Sequence, residues 1–166
     1  MIGAPSRRQA GTDRRLSRRR IVGALAASVV AAGLSQQPED AAAARGRQIA
    51  HAAMKRRGKG YSYLGTGPQR YGCSGLVYVA VKEATGRDLS VDLVTQWHTG
   101  RHIRRKGIQK GDLVFFRGTQ GKMKGPTHVG VAISPTRMVH AANRKQGVTV
   151  DKIATYQRYY LGARRV

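Results

Sequence analysis

The chain has 166 residues, with 31 Lys and Arg against 8 Asp and Glu and a formal net charge of +23. That length allows one ordinary domain plus an appendage, and the single cysteine, Cys73, excludes an intramolecular disulfide. No Cys/His set has metal-ligand spacing and no aromatic platform interleaves with the basic residues, so neither a metal, a cofactor nor a nucleic-acid partner is expected. Residues 1–44 differ from the rest. Arg7, Arg8, Arg14 and Arg15 lead into Ser17-Arg18-Arg19-Arg20, then a weakly apolar run over 21–34, Pro38 and the block Ala41-Ala42-Ala43-Ala44. A basic start, a short apolar stretch and a small-residue site describe an export signal. Its paired arginines are of the twin-arginine kind. The apolar stretch is too short to span a bilayer, which needs about 20 residues, and no cysteine follows it for lipid attachment. A disordered basic tail is the bland alternative. Cleavage after Ala43 or Ala44 takes away seven arginines and three acids and leaves +19 on residues 45–166. The expected product is an exported, unanchored monomer in the periplasm, the cell wall or the medium.

Residues 47–57 predict a helix with Ile49, Ala50, Ala53 and Met54 on one face. Tyr61-Ser62-Tyr63-Leu64 then runs into a turn at Gly65-Thr66-Gly67-Pro68. A buried helix follows from Cys73, with Leu76, Val77, Ala80, Val81 and Ala84 at helical spacing, Ser74 available as its cap, and Gly86 closing it. Ser90 or Asp92 opens a turn or helix carrying Leu93, Val94 and Trp97, and a basic loop continues through Arg104-Arg105-Lys106. From there the pattern is strands: residues 112–116, 128–133, 138–142 and 148–150, with a Gly/Lys loop at 120–126. Helices first and strands later give an α+β domain on an antiparallel sheet.

Free cysteine is among the most buried residue types and more often packs than reacts. Here glycines flank it on either side, and an unpaired thiol in an exported chain calls for a reason. At a helix start the unpaired N–H groups and the macrodipole favour a thiolate, so an acidified Cys73 is expected. Two histidines supply its company. His128 opens one apolar strand, and His140 lies in the strand that the Pro135-Thr136 turn folds back beside it. Cys, His and a third polar group can form a nucleophile, a base and an orienting residue. His51, His98 and His102 lack such surroundings.

The ordered blocks Tyr61-Ser62-Tyr63-Leu64-Gly65, Gly72-Cys73-Ser74-Gly75-Leu76-Val77, Lys110-Gly111-Asp112-Leu113-Val114-Phe115-Phe116, Thr127-His128-Val129-Gly130-Val131, Val139-His140-Ala141 and Gly162-Ala163-Arg164-Arg165-Val166 resemble the NlpC-type cell-wall peptidases. The resemblance covers the chain from Ile49 to its end. It implies a papain-like fold and hydrolysis of peptidoglycan stem peptides, most often between γ-D-glutamate and a diamino acid. It also implies Cys73 as nucleophile, His128 as base, His140 as orienting residue, and Tyr61 with its neighbour Tyr63 at the substrate. Gly72 departs from the family, which has Asp there to hold the free amino end of a stem. Ser74 is expected to help stabilise the oxyanion. The basic clusters suit anionic wall polymers. A non-catalytic wall-binding module of the same fold and an exported antibacterial toxin remain as alternatives.

Overall fold

A computed structural model of the chain describes residues 38–118 and 125–166. Residues 1–37, which hold most of the stretch expected to be an export signal (1–44), and residues 119–124 of the Gly/Lys loop, Lys122 and Lys124 among them, lie outside the described residues.

Helix α1 spans Pro38–Met54, starting well before the expected 47–57. Proline suits a first helical turn, Glu39 and Asp40 complement the positive end of the dipole, and four alanines propagate the helix. The block read as a cleavage site is therefore also the first half of α1. The helix stops at Met54, and residues 55–57 continue as turns. Strands β1 (Gly60–Tyr61) and β2 (Arg70–Tyr71), neither of them expected, form a two-residue parallel ladder. Helix α2 is Cys73–Thr85, closed by Gly86 at φ 72°, whose N–H donates to the Lys82 carbonyl. Helix α3 is Leu93–His98, and the Asp92 carboxylate caps it by accepting from the Thr95 N–H at 2.7 Å.

Six strands follow: β3 (Arg101–Ile103), β4 (Leu113–Phe116), β5 (His128–Ala132), β6 (Arg137–Asn143), β7 (Gly147–Lys152) and β8 (Tyr160–Arg165). They make one antiparallel sheet in the order β3-β8-β4-β5-β6-β7. Alternation along β4 buries both faces. Leu113 and Phe115 join Val129, Val131, Val139 and Ala141 against Ile49, Ala53, Leu76, Val77 and Ala80 of the two long helices. Val114 and Phe116 join Ala132, Met138, Ala163 and Ile153, the last from a 3₁₀ turn at Ile153–Tyr159, on the other face.

Within the six-stranded sheet, β3 and β8 are the two strands that the sequence pattern does not announce. β3 lies in the stretch read as a basic loop. β8 carries Arg164 and Arg165, which look like solvent residues. Arg165 instead grips fully buried Asp112 with two nitrogens, Nε to Oδ1 at 2.7 Å and an Nη to Oδ2 at 2.9 Å. Arg164 lies over the Trp97 ring, 4.2 Å from its centroid. Both side chains find partners more than fifty residues away, which no local pattern reveals.

Candidate active site

Cys73 begins α2 directly after Gly72, whose backbone is extended and whose residue type supplies no capping side chain. Ser74 is not the cap that was expected: it stands inside the helix, half-buried, and its carbonyl accepts from the Gln96 amide at 2.9 Å. The absence of a side chain at 72 is a packing requirement. A Cβ there would collide with the Tyr63 carbonyl oxygen and stand 3.0 Å from that of Ser62. The segment carrying Tyr61 and Tyr63 thus lies directly against the start of the cysteine helix. Its attachment is the Gly72 N–H donating to the Gly65 carbonyl at 2.7 Å.

The thiol is buried. Burial pushes its pKa above the ordinary value, while the N–H groups of Val129, Ser74 and Cys73 itself pull the other way and lose. The expected acidification by the helix start is therefore reversed: desolvation outweighs three backbone dipoles. The Val129 contact also places the sulfur at β5, one residue past His128.

The two histidines meet. Residue pairing between β5 and β6 is confined to Val131↔Val139 and Ala132↔Met138. Continuing that register sets His140 across from Gly130. A Cβ on Gly130 would come within 2.8 Å of Met138 Sδ and 3.2 Å of His140 Cβ, so glycine lets the His140 strand lie close. The two imidazoles meet edge to face with centroids 5.0 Å apart, and His128 Nε2 is 2.7 Å from His140 Nδ1. The chain continues beyond them. His140 Nε2 is 3.0 Å from Asp151 Oδ2, which accepts from the Tyr156 hydroxyl at 2.9 Å. Neither Asp151 nor Tyr156 was expected at the site. The one available signal was the position of Asp151 at the end of an alternating strand, and that gives no register.

This chain fixes proton positions. Burial, and the neighbouring His140, hold His128 down to about 3, and burial also lowers His140 although Asp151 opposes it. Both rings are therefore neutral near pH 7. A carboxylate only accepts, so His140 Nε2 carries the hydrogen that faces Asp151. Its Nδ1 is then an acceptor, and His128 must donate from Nε2. What remains on His128 is a lone pair on Nδ1. Asp151 dictates, through two rings, which nitrogen of His128 is basic.

Two clefts flank this arrangement. One, of about 410 Å³, is lined by Tyr61, His128, His140, Asn143, Arg144 and Tyr156, among others. The other, of about 400 Å³, has Cys73 and Ser74 beside Tyr63, Leu64, Val91 and Val94. Those last four are the exposed large hydrophobic residues among the described residues, and all of them gather at the cysteine. Tyr61 and Tyr63 thus fall on different sides of the site. Asp92, also on the second cleft, is engaged as the α3 cap. His51, His98 and His102 line neither cleft, and no group of three or more potential metal ligands occurs among the described residues.

A cysteine on a helix start, beside an antiparallel sheet that carries a hydrogen-bonded histidine pair, defines a papain-like α+β protein. Residues 58–165 match the model of the NlpC/P60 family, and the chain belongs to that family. It is 34% identical over 118 residues to the murein DD-endopeptidase MepH of Escherichia coli K12, covering 68% of this chain and 43% of that protein. It is 32% identical over 107 residues to a γ-D-glutamyl-L-lysine dipeptidyl-peptidase of Bacillus cereus, covering 63% of this chain and 32% of that one. The chain thus spans less than half of either relative. Among solved structures, the NlpC/p60 domain of the peptidoglycan hydrolase SagA superposes with a TM-score of 0.64 at 27% identity, over 73% of this chain and 98% of the domain.

Proposed function

We propose that the protein is an exported cysteine endopeptidase that hydrolyses peptidoglycan stem peptides, at the bond between γ-D-glutamate and the diamino acid. The observation that carries this is the unbroken series His128–His140–Asp151–Tyr156 beside a lone buried thiol. A structural histidine pair needs no nucleophile next to it, and a packed cysteine needs no tautomer control.

In this reading Nδ1 of His128 takes the thiol proton as the sulfur attacks the scissile carbonyl carbon. The N–H groups of Cys73 and Ser74, at the open end of α2, hold the oxygen that becomes negative. The imidazolium then gives its proton to the departing amine. The thioester is released by water, with His128 again as base. The neutral resting pair means that the proton moves when substrate arrives, not beforehand. No step calls for a metal or a cofactor.

The apolar cleft beside Cys73 receives the acyl part of the stem. Gly72, having no carboxylate, offers a free amino end nothing ionic to bind. That favours a second reading of the bond, the DD-endopeptidase activity that the MepH relative is named for. The +19 on residues 45–166 suits adhesion to anionic wall polymers, and the arginine-rich start with its small-residue site supports export. No helix among the described residues is long and apolar enough to cross a membrane.

The test is digestion of purified sacculi by the wild type and by Cys73→Ala, with fragments read by mass spectrometry. New N-termini on the diamino acid are expected from the wild type alone. Matching profiles would leave only the wall-binding module, and a crosslink cut would select the second bond.

A further inference from the structure

The cleft on the histidine side contains a cation that the chemistry above does not use. Arg144 sits in the turn between β6 and β7. That turn is held by the Asn143 side chain, whose Oδ1 accepts from the backbone N–H of Lys145 and of Gln146, each at 3.0 Å. The base of the side chain is thus fixed while its guanidinium is free. Four cations are taken up by carboxylates, Lys55 and Arg56 by Glu83, Lys82 by Asp88 and Arg165 by Asp112; what sets Arg144 apart is that it lines the cleft of the two histidines. Arg144 makes no ion pair among the described residues, and the nearby carboxylate of Asp151 is taken up by His140 and Tyr156. Tyr61 lines the same cleft as Arg144 and lies within electrostatic reach of both Arg144 and Cys73.

Direction follows from the proton path. The group that receives a proton from His128 is the leaving amine, so the leaving residue lies in the cleft that His128 lines. The acyl part lies in the cleft that Cys73 lines. Arg144 lines that same cleft, so its guanidinium, without an ion pair among the described residues, is available to whatever the leaving residue carries beyond its amine.

We infer that Arg144 anchors a carboxylate of the leaving residue, so that the enzyme reads a diamino acid with a free second carboxylate, as in diaminopimelate, in preference to lysine. This rests on the stem-peptide reading and sharpens it. A guanidinium suits the task because its paired N–H groups match a carboxylate and stay charged at every relevant pH. The preference is chemical: lysine and diaminopimelate both end in an ammonium group, but only diaminopimelate carries a carboxylate beside it for the arginine to bind, and an amidated carboxylate keeps the shape but loses the charge.

The experiment uses three tetrapeptides, L-Ala-γ-D-Glu-X-D-Ala, in which X is meso-diaminopimelate, its side-chain amide, or L-lysine. Hydrolysis is followed with the wild type, Arg144→Gln, Arg144→Lys and Lys145→Gln, the last removing an equal charge from the same turn outside the cleft. Binding of each peptide is measured on Cys73→Ala. The wild type is expected to favour free diaminopimelate by roughly 10- to 100-fold in kcat/KM, the range for one charge-assisted contact. Arg144→Gln should erase that preference, mostly through KM, with Arg144→Lys restoring part of it and Lys145→Gln leaving it intact. Equal rates on the three peptides, or an equal effect of both glutamine variants, would overturn the inference while leaving the endopeptidase standing. If the wild type cuts none of them and the Cys73→Ala protein binds all alike, both readings fall together. Selective binding without cleavage would keep the carboxylate subsite and remove the stem-peptide bond.

Discussion

At the scale of single residues, the site rests on which atoms carry protons. A cysteine at a helix start is ordinarily a case for a lowered pKa, yet burial decides against it here. Alkylation of Cys73 by iodoacetamide should therefore accelerate with a midpoint above pH 9. Full reactivity at pH 6 would show a preformed thiolate–imidazolium pair instead. Asp151 contributes without touching sulfur or substrate, by holding His140 in the tautomer that leaves His128 Nδ1 basic. Asp151→Asn should lower kcat by about 10- to 10⁴-fold, the upper end being the cost of losing the tautomer-setting carboxylate of a Ser-His-Asp triad, with KM nearly unchanged and the fold intact by circular dichroism. Tyr156→Phe removes one of the two hydrogen bonds on the same oxygen and should cost less. A larger loss in the phenylalanine variant would contradict this ordering.

At the scale of elements, the start of α2 and the 62–65 segment form one unit, because the missing side chain of Gly72 is the space the Tyr63 carbonyl occupies. Restoring a carboxylate with Gly72→Asp therefore does more than add a charge. It forces the segment that bears Tyr63 away from the cysteine. Gly72→Ala isolates the steric part, and overpacking of this kind costs about 1–3 kcal/mol. Its urea midpoint should fall with the slope unchanged. A midpoint equal to the wild type would mean that the segment yields freely. The opposite edge of the site follows the same logic. Gly130 admits the His140 strand, and the short β5–β6 pairing leaves room for two rings to meet.

At the scale of the whole molecule, the neutral histidine couples catalysis to stability. His128 is near 6.5 when unfolded and held to about 3 when folded, so the unfolded chain binds the proton first. Stability from this group is complete above pH 6.5 and is lost as the pH falls toward 3. Cys73 acts in the other direction, since a raised thiol costs stability only as the pH climbs beyond about 9. Unfolding free energy should accordingly decline between pH 6.5 and 3, and His128→Gln, which cannot titrate, should flatten that decline. An unchanged slope in the variant would assign acid sensitivity to other groups.

Local information carried far in this protein. The helix of Cys73 follows from apolar spacing, a preceding glycine and a terminal glycine, all within fifteen residues. The four expected strands follow from alternation, and the family likeness rests on the ordered blocks from Tyr61 to Val166. These are short-range patterns, written along the chain. What only the folded chain decided are quantities that depend on neighbours distant in sequence. Strand β8 was illegible because Arg165 is paired with Asp112 and Arg164 is held by the ring and carbonyl of Trp97, partners distant in sequence. Asp151 was illegible because its role exists only once β6 and β7 fix their register. The state of the thiol was misread because desolvation is a property of everything packed around an atom, whereas a helix start is visible from the atom's own segment.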